Sequence, residues 1–176
     1  MGPEKLAGAY QFHLSGMEST PSRRVANYVQ SNTVFAGAVI VAPGGRVLCQ
    51  LRDDKPGILY PGYWSCAPGG HVEAGEEPMA AVVRELYEEF EVRAERLRRL
   101  VTIVENSGDC IGTYHAFVGQ LVMPVSKVKC HEGVRVEFLA LEAALALRQH
   151  PVSRKILLEF VRQSLHVLTP SADVRR

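Results

Sequence analysis

This sequence is short of several things, and each shortage removes a class of function. Aromatic residues make up 7% of it, with a single Trp. No basic stripe with interleaved aromatics occurs, which argues against a nucleic-acid partner. The four cysteines, Cys49, Cys66, Cys110 and Cys130, are scattered without a C-x-x-C pair. That spacing predicts buried or idle thiols in a reducing cytosol rather than a zinc site or a disulfide frame. There is no basic-then-apolar N-terminal signal pattern. The longest apolar run, Val34 to Ala42, is too short to span a bilayer. A cytoplasmic protein without membrane contact is expected. No internal repeat is present, and the net charge is only +1.

That near-neutral total hides an uneven distribution. The stretch from Gly70 to Val92 holds seven glutamates (Glu73, Glu76, Glu77, Glu85, Glu88, Glu89, Glu91) and one basic residue, Arg84. Outside it, 19 basic residues stand against 12 acidic ones. Like charges this crowded destabilise a fold unless something compensates them. Pro78 suits a first helical residue, and Ala80 to Phe90 is rich in helix formers. At about 100° per residue, Met79, Val82, Val83, Leu86 and Phe90 share one arc, which predicts the core-facing stripe. Glu85, Glu88 and Glu89, related by i, i+3 and i+4, share a neighbouring face. Three carboxylates converging behind a Gly-Gly loop suit a hard divalent cation, Mg²⁺ or Mn²⁺. An acidic pocket on a mildly basic body suits a polyanion bridged by such ions.

These residues resemble the Nudix family box, G-x5-E-x7-R-E-U-x-E-E-x-G-U, with U a bulky aliphatic. Gly70, Glu76, Arg84, Glu85, Leu86, Glu88, Glu89 and Val92 stand at the required positions, and Glu91 replaces the glycine. The resemblance extends over Val34 to Leu165: a strand ending in Arg52, a Pro/Gly loop, Tyr63-Trp64, then Pro68-Gly69-Gly70. It implies an α/β/α sandwich with a mixed sheet. It also implies a hydrolase in which Glu85, Glu88 and Glu89 hold Mg²⁺, joined by the Gly69 carbonyl.

The residues suggest further roles. Arg84 pairs Glu85 or Glu76 and fixes carboxylate orientation. The general base is Glu88 or Glu89, or a loop residue, with Glu132 the leading loop candidate and His131 and His115 the alternatives. Arg52 is either a phosphate contact, through its fork of donors, or a strand-end surface charge. Trp64 either stacks on a base or anchors the loop. Glu91 either adopts a left-handed turn or lets the helix run on to Val92 or Arg93; the following Arg93, Arg96 and Arg98 favour the second.

Along the chain, residues 1–30 are expected as an N-terminal arm with one short strand near Tyr10–Leu14, serving packing or exchange in a homodimer. Residues 31–168 form the domain and 169–176 a loose tail. Strands are expected at Val34–Val41 and Arg46–Leu51, forming a hairpin, and at Leu97–Glu105 and Ile111–Met123, turning at Ser107-Gly108-Asp109. A further strand covers Gly133–Leu141, and helices cover Leu141–Leu147 and Pro151–Val167. This alternation argues an α/β fold. The expected activity is Mg-dependent cleavage of a phosphoanhydride in a small-molecule nucleotide, a nucleoside triphosphate or a nucleotide sugar. A non-catalytic nucleotide sensor on the same fold and a merely structural acidic helix are the rival readings.

Overall fold

The computed structural model describes residues 33–106 and 111–168, with side chains described to residue 165. The expected arm and its strand near Tyr10–Leu14, the Ser107–Asp109 turn, Cys110 and the tail from Thr169 lie outside the described residues.

Seven strands form one mixed sheet among the described residues. They are β1 (Val34–Val41), β2 (Val47–Leu51), β3 (Trp64–Ser65), β4 (Gly69–His71), β5 (Ala94–Glu105), β6 (Gly112–Leu121) and β7 (Arg135–Leu139). The order is β3-β2-β1-β6-β5, with β4 pairing β1 and β7 pairing β2. Only β1 and β6 run parallel. The apolar run of β1 fits a strand covered on both faces. Ala36, Ala38 and Ile40 point to one cluster, and Val39, with the partly buried Phe35 and Val41, points to the other. Helix α1 (Pro78–Phe90) covers the first face. Helices α2 (Leu141–Ala146) and α3 (Pro151–Leu168) cover the second. This is the expected α/β sandwich.

The expected hairpin forms, with β1 and β2 antiparallel and Val41↔Val47 in register, and β2 also pairs along its length with β7. Two expectations need correction. On α1, Met79 and Val83 are exposed, while Ala81, Val82, Leu86, Glu89 and Phe90 are buried. The buried arc is turned away from the purely apolar stripe because the helix brings Glu89 inward with Val82 and Leu86. Burial of Val82, Leu86 and Phe90 contributes about 1.5–3 kcal/mol each, enough to hold the helix while it carries a carboxylate on its inner side.

Second, the helix does not run on. Glu91 is left-handed, with φ 53° and ψ 24°. Its N–H donates to Tyr87 O at 2.8 Å, and the Val92 N–H turns back to Leu86 O at 3.0 Å. The burial of Val92 at 3% exposure favours this turn over continuation into solvent. The Glu91 carboxylate meets His131 Nε2 at 2.9 Å across a half-exposed contact. Relief of the left-handed strain in Glu91→Gly is worth about 1 kcal/mol, and loss of the exposed contact takes back a few tenths. The variant is therefore expected to raise the urea midpoint slightly. A loss of more than about 1 kcal/mol would show that the His131 contact outweighs the strain.

Candidate active site

The sheet, α1 and the start of α3 enclose a cavity of about 290 Å³. Strand β2 and the loop after it bring Arg52, Leu59 and Tyr60. Strand β4 brings Gly69, Gly70 and His71, and α1 brings Glu85 and Glu89. Strand β6 brings Tyr114 and His115, the loop before β7 brings Glu132, and the start of α3 brings His150. Of the residues expected from sequence, Glu85, Glu89, Gly69, Arg52 and Glu132 thus share one cavity.

The glycines are required by close packing. A Cβ on Gly69 would collide with the Ala36 carbonyl of β1, and one on Gly70 with the Glu85 carboxylate. The Glu85 side chain therefore lies directly against the Gly70 backbone. Arg84 holds it there. Its NH1 donates to Glu85 Oε1 at 2.8 Å and to Glu88 Oε2 at 3.3 Å. Its Nε and NH2 grip both oxygens of Glu76 at 3.0 and 2.9 Å, and NH2 also reaches the His71 carbonyl at 3.0 Å. Arg84 thus pairs both carboxylates named from sequence. The Glu76 carboxyl is held below its ordinary range by the Arg84 hydrogen bonds, aided by the Glu73 N–H. Lysine cannot match this planar fork. Arg84→Lys is expected to lower kcat about 10–100-fold and to lower Tm. A Lys variant with full turnover would reduce Arg84 to a charge-neutralising role.

Among the carboxylates of the cavity, Glu89 is shifted furthest. Burial, then the charges of Glu132 and Glu85, push its carboxyl up to about 8, against the opposing pull of Arg52 and a Gln50 hydrogen bond. Burial likewise raises Glu85, which Arg84 partly offsets. Three carboxylates thus face one cavity, with Arg52 on its wall. Their oxygens and the neighbouring main-chain carbonyls match a hard divalent cation, and among the described residues no thiol lines the cavity. Cys49 and Cys66 instead face each other, buried, at 3.1 Å. Among the described residues no three His, Cys, Asp or Glu side chains are gathered as a ready cage. Arg84 draws Glu85 and Glu88, while Gln50 draws Glu89.

Glu88 is placed differently from expectation, and Trp64 sits where the anchoring one of its two readings puts it. Glu88 does not line the cavity; its side chain is 60% exposed and turned to Arg84 one helical turn back. Trp64 does not line it either. Alternation along β3 turns Ser65 inward, and Trp64 packs on the α3-side cluster under the Arg135 guanidinium, 5.3 Å from its ring centre. It is an anchor. His131 stands outside, paired with Glu91, whereas His115 lines the cavity with Nδ1 3.1 Å from Thr102 Oγ1.

Sequence reading missed His71, His150, Tyr60 and Gln50. His150 stacks on Tyr60 and accepts the Ser153 N–H at Nδ1. Burial, then the Arg52 charge, hold it neutral, down to about 3. Its position just before Pro151 at a helix start was the available signal. For Gln50 the signal was its place near the end of β2, two residues before Arg52.

The NUDIX domain family model matches residues 32–160. An RNA pyrophosphohydrolase of Gluconacetobacter diazotrophicus is 45% identical over 57 residues, covering 31% of this chain and 34% of that protein. An uncharacterized Nudix hydrolase of Pseudomonas aeruginosa is 45% identical over 51 residues, 29% of this chain and 30% of that protein. The matched stretch thus spans about a third of each curated relative. The fold is similar to that of a MutT protein from Methanosarcina mazei, with TM-score 0.60 and 22% identity over 76% of this chain and 95% of that one. It is also similar to that of a C. elegans Ap4A hydrolase complex, with TM-score 0.59 and 22% identity over 76% and 98%.

Proposed function

This chain belongs to the NUDIX domain family, and from that premise we propose that it is a divalent-cation-dependent hydrolase of a nucleoside diphosphate linked to another group. The observation that carries this reading is the convergence of Glu85, Glu89 and Glu132 on one cavity that Arg52 also lines.

Glu85 and Glu89 would hold the cation, Mg²⁺ or Mn²⁺, with the Gly69 carbonyl beside them, and Glu88 would join the set by turning in from its contact with Arg84. Such an ion neutralises phosphate charge and acidifies bound water. The chain's own residues do the rest. Arg52 Nε is committed to the Leu59 carbonyl at 2.9 Å, which fixes the guanidinium plane at the cavity wall. Its terminal nitrogens are then available to grip phosphate oxygens in a fork. Glu132 is the proposed general base. It takes a proton from the attacking water as oxygen bonds to phosphorus, the bridging P–O bond breaks, and the bonding pair leaves with the departing phosphate. Arg84 keeps Glu85 oriented from outside the cavity.

A small nucleotide is the proposed substrate, and a direct assay identifies it. The panel should hold nucleoside triphosphates, nucleotide sugars, Ap4A and a 5′-triphosphorylated RNA, the last two prompted by the names of similar proteins. Phosphate is detected with and without added phosphatase. Mg²⁺-dependent turnover of at least one compound is expected. Silence across the panel with both Mg²⁺ and Mn²⁺ would favour a binding role without catalysis.

A further inference from the structure

Gln50 sits where the helix-borne and loop-borne carboxylates are tied together. Its side chain is buried, the residue being 2% exposed. Nε2 donates to Glu89 Oε2 at 3.3 Å and to the main-chain oxygen of Glu132 at 3.1 Å. Main-chain bonds flank this junction. Lys129 N–H donates to Phe90 O at 3.0 Å, His131 N–H to Glu89 O at 2.8 Å, and Val134 N–H to Leu51 O at 2.8 Å. The segment 129–134 is thereby strapped between the end of α1 and the end of β2, with Glu132 in its middle. It also presses on Gln50 directly. A Cβ on Gly133, whose φ is 92°, would stand 3.3 Å from Gln50 Cγ and Nε2 and 2.7 Å from Leu51 O.

We propose that Gln50 is a positioning residue of the hydrolytic site, using one buried amide to orient the Glu89 carboxylate and to hold the segment that carries Glu132 opposite it. The inference rests on the roles proposed above for Glu89 and Glu132. The residue type follows from the chemistry. A neutral amide nitrogen has two N–H donors, one for each acceptor. It engages one oxygen of Glu89 and leaves the other for the cavity. Glutamate at this position would add a fourth negative charge. Lysine would neutralise Glu89 and compete with a cation. Leucine would take this donor from both acceptors, the Glu89 oxygen being buried. Asparagine is one methylene shorter and cannot span both.

The test uses Gln50→Met and Gln50→Asn, alone and with Glu132→Gln, in the full chain. Hydrogen exchange is read segment by segment, and steady-state kinetics use a substrate identified in the panel. Exchange should quicken about tenfold within 129–134 and stay unchanged in β1 and β6. In the same variants kcat should fall about 10–100-fold with KM held within about threefold. Glu132→Gln should cost less in the Gln50→Met background than in wild type. If Gln50→Met lowers the global melting temperature, Gln50→Asn, which keeps a polar side chain, carries the test. Wild-type exchange in 129–134 in either folded variant overturns the proposal, as do effects of Gln50→Met and Glu132→Gln that multiply independently. Full turnover in Glu132→Gln alone would instead remove Glu132 as the base, leaving the exchange result to decide Gln50.

Discussion

Glu89→Gln is expected to lower kcat by at least about 10³-fold, some 4 kcal/mol of transition-state stabilisation, while making the cation-free protein more stable at pH 8. The two effects have one origin. Glu89 is buried at 9% exposure beside Glu85 and Glu132, so its charge is costly without a counter-ion and useful with one. Glutamine keeps the shape, still accepts the Gln50 hydrogen bond and removes the charge. Loss of activity with a raised Tm separates a functional carboxylate from a structural one. Glu88→Gln is also expected to lower kcat through its place in the cation's ligand set, but with little change in Tm, since its side chain is largely exposed. A Glu89→Gln protein with wild-type turnover at saturating Mg²⁺ contradicts the assignment.

The second large effect is in the pH dependence of stability. In the cation-free fold the Glu89 carboxyl is raised from its ordinary 4.5 to about 8. Below about pH 4.5 the folded and unfolded forms are both protonated there, and the contribution is fully present. As pH rises, the unfolded chain releases its proton first, so stability falls until the folded group also ionises near pH 8. The loss is on the order of 2–4 kcal/mol, and Glu89→Gln should abolish most of it. Cations compete with that proton. The rise in Tm produced by 20 mM Mg²⁺ (roughly saturating for a weak oxygen-ligand site) should therefore be larger at pH 8.5 than at pH 5.5. Equal shifts at the two pH values would detach cation binding from Glu89, and a flat Tm at both would argue against a preformed site.

Much of this was legible in the sequence because it is periodic or local. The apolar run of β1, the strong formers of α1 and the amphipathic α3 each declare themselves within one segment. So does the spacing of Glu85, Glu88 and Glu89. What was not legible depends on how segments meet. The helix rotates to carry Glu89 inward with its apolar neighbours, and no apolar periodicity marks a carboxylate as buried. Glu91 takes the left-handed turn because Val92 must reach the core, a constraint set by the sheet rather than by the arginines that follow. Trp64 faces the anchoring side because Ser65 faces the cavity, a parity fixed by pairing with β2. Gln50 meets Glu132 across 82 residues of sequence, a contact that only the assembled fold creates.

The most direct measurement of the central claim is turnover in H₂¹⁸O, with product masses compared for wild type and Glu89→Gln, each with and without Mg²⁺. The account predicts one ¹⁸O in a phosphate of the wild-type products, appearing only with Mg²⁺, and almost none from Glu89→Gln. Labelled product that forms equally without a divalent cation, or equally in Glu89→Gln, would contradict it.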